Sequence, residues 1–211
     1  MEPTERRRQL LLTGKKVFAE CGYHATGVAD IVESAAVARG TFYLYFKSKR
    51  DIFGAVLDYI FQSLMEHLQS IPADQPEMIL KGIIDNLANM QAFFEGSADE
   101  AMVIIREAML LDEESARRVD DMRKELVEWL REILVHWQKA GILRPLDPDL
   151  VAHAFIGSTH NLFEQRVLKG QEFIDSEQIV PVLLDLFLFG LVAPEHFQLA
   201  EDHLKEIGDT E

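Results

Sequence analysis

Between Ala36 and Asp51 the chain gathers hydrogen-bond donors at a spacing that suits contact with a polyanion. Arg39, Thr41, Tyr43 and Tyr45 are interleaved with apolar residues, and Lys47, Lys49 and Arg50 follow at once. Donors of this kind on a short helix are what is needed to meet phosphates and base edges in a DNA major groove. The flanking residues supply the elements to hold such a helix. Val28 to Ala35 reads as a short amphipathic helix, with Val28, Ile31, Val32 and Ala35 on one side and Asp30 and Glu33 on the other. Ala36-Val37-Ala38 is long enough only for a turn, Arg39 to Phe46 is the second helix, and Ser48 with Asp51 is placed as a capping box for a third. Two short helices joined by such a turn, the second rich in donors, make a helix-turn-helix. By propensity alone TFYLYF is also a strand, but nothing else in the chain alternates with period two to pair with it.

Other chemistry leaves no constellation. The sequence has no Gly-rich phosphate loop, no G-x-S-x-G, no H-E-x-x-H and no E-x-x-H pair. His153 and His160 are seven apart on one helix and could join His136 as ligands, but core or surface histidines are the simpler reading, so neither a metal, a catalytic residue nor a cofactor is expected. A helix-turn-helix also serves as a structural corner, which leaves a helical small-molecule carrier or protein-interaction module as the alternative.

The run FAECGYHATGVADIVESAAVARGTFYLYFKSKRDIF resembles the N-terminal DNA-binding domain of the TetR family of transcriptional regulators. Members show a phenylalanine-containing first helix, G-Y/F-x-x-T, the helix-turn-helix, then G-T-F/L-Y-x-Y/H-F and K-x-K. Gly22, Tyr23, Thr26, Gly40, Thr41, Phe42, Tyr43, Tyr45, Phe46, Lys47 and Lys49 match in register. The turn departs, since the usual A-G-V-S is Ala35-Ala36-Val37-Ala38 here. An alanine in a left-handed position adds on the order of 1 kcal/mol of strain. Ala38 in place of serine removes a helix N-cap worth roughly 1 kcal/mol.

The resemblance implies an all-α homodimeric repressor. Residues 1–48 would form the helix-turn-helix DNA-binding domain and 49–211 a helical-bundle domain for ligand binding and dimerisation through the last two long helices. It also implies that Thr26, Tyr43 and Lys49 hold phosphates while Arg39, Gly40, Thr41 and Tyr45 lie nearest base edges, with a phosphate as the alternative for Thr41 and the Arg39 fork matching guanine O6 and N7. The implied partners are a near-palindromic double-stranded operator and a small, largely apolar effector.

At 211 residues and 48% hydrophobic, the chain can bury a sizeable core. Its net charge of −15 argues against a nucleic-acid partner until the distribution is read. Residues 1–50 hold nine Lys/Arg against five Asp/Glu, net +4, and the remainder holds 12 against 31, net −19. A basic head on an acidic body suits a protein that turns only its head to DNA. The single Cys21, on the apolar side of the first helix, reads as a small buried residue, and a reducing, cytoplasmic location is the expectation.

Apolar spacing predicts helices over 5–21, 49 to about 70, 77–95, 97–111, 112–140, 147–168, 176–192 and 195–207. Residues 179–192 are interrupted only by Pro181, Asp185 and Gly190. That run is shorter than the roughly 20 residues a membrane span needs, so no membrane is expected, and burial partly by a second subunit is. In the body, Met65, Met90, Met102 and Met109 are adaptable apolar groups, Phe93, Phe94, Trp129 and Trp137 are flat walls, and Asn86, Asn89, Arg106 and His136 are polar groups expected to face inward. Together they compose a candidate pocket.

Overall fold

The computed structural model describes residues 3–68, 82, 85–86, 89, 101, 103–169, 182–183, 185–186 and 190. Among them every element is a helix and none is a strand. The order is α1 (Pro3–Cys21), α2 (Val28–Ser34), α3 (Arg39–Tyr43) and α4 (Lys49–His67), then α5 (103–111), α6 (Glu113–Lys139) and α7 (Pro148–Lys169). Expected helices over 77–95, 176–192 and 195–207, and the start of the one over 97–111, fall wholly or mostly outside the described residues.

The helix ends follow their residues. Gly22 takes φ +79° and donates its N–H to Phe18 O at 2.9 Å, stopping α1. Ser48 Oγ accepts from the Asp51 N–H at 3.1 Å, while the Asp51 carboxylate reaches one residue further back than a capping box requires, to the Lys47 N–H at 2.7 Å. Asp112 Oδ1 accepts from Ser115 N–H at 2.8 Å to open α6, which Gly141 closes at φ +76°. Asp147 Oδ1 accepts from the N–H groups of Asp149 and Leu150 and starts α7.

The contacts divide the chain into two compact units, Met1–Leu64 with Ser97–Asp121, and Met65–Gly96 with Met122–Glu211. In the first, Leu10, Phe18, Ile31, Phe42, Ile52 and Val56 are fully enclosed, and Phe46, Phe53 and Leu57 nearly so. Gly14 lets α1 and α4 meet: a Cβ there would come within 2.9 Å of Ile52 Cδ1. Phe18, Tyr23 and Phe53 stack edge and face with centroids 4.8–5.9 Å apart. Cys21 corrects the expectation of burial, because it is exposed. It lies on the stripe of Leu10, Gly14, Val17 and Phe18, but at the last residue of α1, where the helix stops.

In the second unit Val127, Leu134, Trp137, Ile142, Leu143 and Ala152 are buried. Arg131 pairs with Glu128 and lies 3.7 Å from Asp149, tying α6 to the start of α7.

Candidate nucleic-acid interface

The helix-turn-helix is built as its residues dictate. In α2, Asp30 accepts from the Gly27 N–H at 2.7 Å, fixing the first turn. Its other end is closed by paired bonds from Val37 N–H to Val32 O and from Ala36 N–H to Glu33 O, both 3.0 Å. This is a Schellman closure, whose left-handed position glycine usually fills. Here Ala36 occupies it at φ +51°, so the strain expected from the sequence is present. Ala38 stands at the N-cap of α3 in extended conformation and offers no side-chain bond.

Helix α3 is shorter than the expected Arg39–Phe46, ending at Tyr43 with Leu44 as its cap. Phe42 and Phe46 are buried and their rings lie 5.8 Å apart, which anchors one side. The other side faces water: Arg39 and Gly40 are exposed, Tyr43 is 49% exposed and Leu44 78%. Thr41 and Tyr45 are half-buried between the two sides. Open space lies where a Cβ on Gly40 would project. Thus an exposed guanidinium, a bare backbone position and a phenol are presented together.

Two residues assigned to phosphates have other engagements. Thr26 is only 2% exposed and donates its hydroxyl to Gly22 O at 2.8 Å. Lys49 donates from Nζ to the carbonyls of Tyr23 and Thr26, both at 2.8 Å, and lies 4.2 Å from the centre of the Tyr23 ring. The Thr26 bond closes the loop between α1 and α2 on itself, and Lys49 fastens that loop to the start of α4.

Residues far along the chain complete this support, and no local spacing announced them. The Tyr23 N–H donates to Glu107 Oε2 at 2.9 Å, and that carboxylate lies beside Gly22, where a Cβ would stand 3.6 Å from it. Arg50 pairs with Asp112 at 3.1 Å and with Glu114 at 2.9 Å. Arg118 pairs with Asp58 at 3.5 Å, its guanidinium passing close over Gly54. The Ser115 N–H and the Arg50 charge hold the Asp112 carboxyl below its ordinary pKa, the hydrogen bond being the larger cause. Burial pushes the Tyr23 phenol up.

This geometry has counterparts among known proteins. Residues 10–56 match the family of bacterial regulatory proteins described as tetR family, and residues 84–164 match the tetracyclin repressor-like C-terminal domain. The chain is 31% identical over 163 residues to the HTH-type transcriptional repressor KstR2 of Mycolicibacterium smegmatis, covering 75% of this chain and 77% of KstR2. The chain belongs to the TetR family of transcriptional regulators. It is also 28% identical over 197 residues to the HTH-type transcriptional repressor DhaR of Mycobacterium sp. (strain GP1), covering 89% of this chain and 95% of DhaR. Among solved structures, FadR from Bacillus subtilis in complex with stearoyl-CoA shares the fold, with TM-score 0.67 and 24% identity over 86% of this chain and 97% of that one. A TetR-family member is a DNA-binding regulator and not an enzyme, and the carrier reading falls with it.

The residues proposed for a TetR-type ligand pocket are distributed over both units. Asn86 is buried and Met65 and Trp129 are half-buried in the second, while Arg106 is half-buried in the first. Met90, Phe93, Phe94 and Met102 lie outside the described residues. Met109 is 53% exposed, and His136, also exposed, corrects the expectation that it faces inward. Each sits one position off its buried stripe, beside Ala108 and Trp137. Among the described residues no three His, Cys, Asp or Glu side chains are grouped to hold a metal, and no helix is long and apolar enough to cross a membrane.

Proposed function

We propose that the protein is a homodimeric repressor whose two helix-turn-helix heads read a near-palindromic operator and let go when a largely apolar small molecule occupies the body. The observation that carries the DNA half is the exposed side of α3, where Arg39, the bare Gly40 and Tyr43 stand together with open space at Gly40. Arg39 reaches guanine, Gly40 admits the close approach of DNA, and Tyr43 holds a phosphate. Thr41 and Tyr45 flank them.

Two observations support the ligand half. The neighbouring FadR fold was solved with stearoyl-CoA bound. Trp137 is 6% exposed, and its Nε1–H is a buried donor without a hydrogen-bond partner among the described residues. An acceptor on the effector would satisfy it. By linkage, an effector that releases DNA binds the DNA-free form more tightly, and DNA weakens the effector by the same factor.

The test is Gly40→Ala, with DNA affinity and stability measured on the same sample. A methyl group at this open helical position leaves the fold as stable or raises it by up to about 1 kcal/mol. Against DNA it costs roughly 10-fold in affinity, the scale of one lost base contact. Parental affinity in Gly40→Ala would mean that α3 turns another side to the duplex.

A further inference from the structure

The cations of the head have different engagements. Lys49 and Arg50 are held by carbonyls and carboxylates. Arg7 instead lies over the Phe46 ring, its Cζ 5.1 Å from the centroid. Phe46 is 2% exposed and rests against Phe42 of α3, so the ring is a fixed platform next to the exposed Lys47. Stacking occupies the face of a guanidinium and leaves its N–H edge for an acceptor. The backbone that carries Arg7 is fixed as well. Arg6 donates to Gln9 Oε1 at 2.7 Å, and Gln9 donates to Ala35 O at 3.0 Å, fastening the start of α1 to the end of α2.

Three consecutive arginines, Arg6 to Arg8, lie within the first two turns of α1, near the positive end of a helix dipole. An anionic partner gives them a use, and the exposed side of α3 already implies one.

We propose that the first turns of α1 form a second contact with the DNA backbone, in which Arg7, held over Phe46, donates to a phosphate beside the one met through α3. This rests on the reading of α3 as the DNA-facing helix. It adds a sequence-independent contact and clamps the duplex from the Phe46–Lys47 side.

The test measures binding of a random-sequence duplex by the full-length protein between about 50 and 200 mM salt, the range over which phosphate contacts are lost. Each lost contact lowers the slope of log affinity against log salt by roughly 1. Arg7→Gln is therefore expected to lower it by roughly 1 per protomer while Arg7→Lys, which keeps the charge, retains it. Thermal unfolding of both variants checks the head, because a purely structural role for the stacked guanidinium would lower the melting temperature and leave the slope unchanged. A parental slope in Arg7→Gln overturns this contact alone. A parent protein that binds no duplex at any salt concentration overturns the regulator reading and this contact with it.

Discussion

Lys49 and Tyr43 are six residues apart and belong to different kinds of prediction. The Lys49 ammonium bonds to two carbonyls and faces an aromatic ring, whereas the Tyr43 phenol is half exposed. Lys49→Met removes two charge-assisted hydrogen bonds and is expected to destabilise the head by about 2 kcal/mol in denaturant unfolding. Tyr43→Ala loses only the edge contact of its ring with Phe42 and should cost about 1 kcal/mol in the same experiment, yet weaken binding to all duplex sequences. The strained turn gives a second pair. Ala36→Gly relieves the left-handed alanine and raises stability by roughly 0.5 kcal/mol once the freedom that glycine adds to the unfolded chain is counted. Ala38→Ser supplies the absent N-cap of α3 and adds roughly 1 kcal/mol. At this scale the sequence is legible where chemistry is local. The turn departures could be read from Ala36 and Ala38 alone, but the engagement of Lys49 could not, since its acceptors belong to Tyr23 and Thr26 in a loop more than twenty residues earlier.

Among the elements, α4 and the corner between α5 and α6 brace the head. Glu107, Asp112, Glu114 and Arg118 reach Tyr23, Arg50 and Asp58 across more than fifty residues of sequence. Glu107→Ala removes the acceptor of the Tyr23 N–H, and hydrogen exchange of that amide should rise about 10-fold if one net hydrogen bond is lost. The pH dependence has a definite sign. Asp112 is held below its ordinary 3.8 in the folded protein, so the unfolded chain binds more protons as pH falls through this range. Its contribution to stability is present above that range and is lost as pH falls through the folded value. Asp112→Asn should remove this part of the acid loss in melts taken at successive pH values. Among the described residues the helices were legible from apolar spacing, with Gly22, Ser48, Asp112, Gly141 and Asp147 marking their ends. Helix α3 was overestimated because Phe42 and Phe46, one turn apart, keep the helical spacing after the helix itself has ended at Tyr43.

For the whole molecule, charge and family point the same way. Residues 1–50 carry net +4 on a chain of net −15, and the TetR-family matches cover residues 10–56 and 84–164. The overall acidity lies outside residues 1–50. The DNA-reading half was the legible one, because its donors and turn lie within a continuous run of the sequence. The body was legible only as apolar helices. Which side of α5 or α6 faces inward depends on where each buried stripe falls, and a shift of one position put Met109 and His136 in water. The measurement that tests the central claim most directly is selection of bound sequences from a pool of randomised duplex DNA by the full-length protein, in parallel with Arg39→Ala. The predicted result is a near-palindrome whose half-sites are about one helical turn apart, recovered by the parent and lost or strongly reduced in the variant. Enrichment of no sequence by the parent, or of the same site by both proteins, would contradict the assignment of α3 as the reader of a two-fold operator.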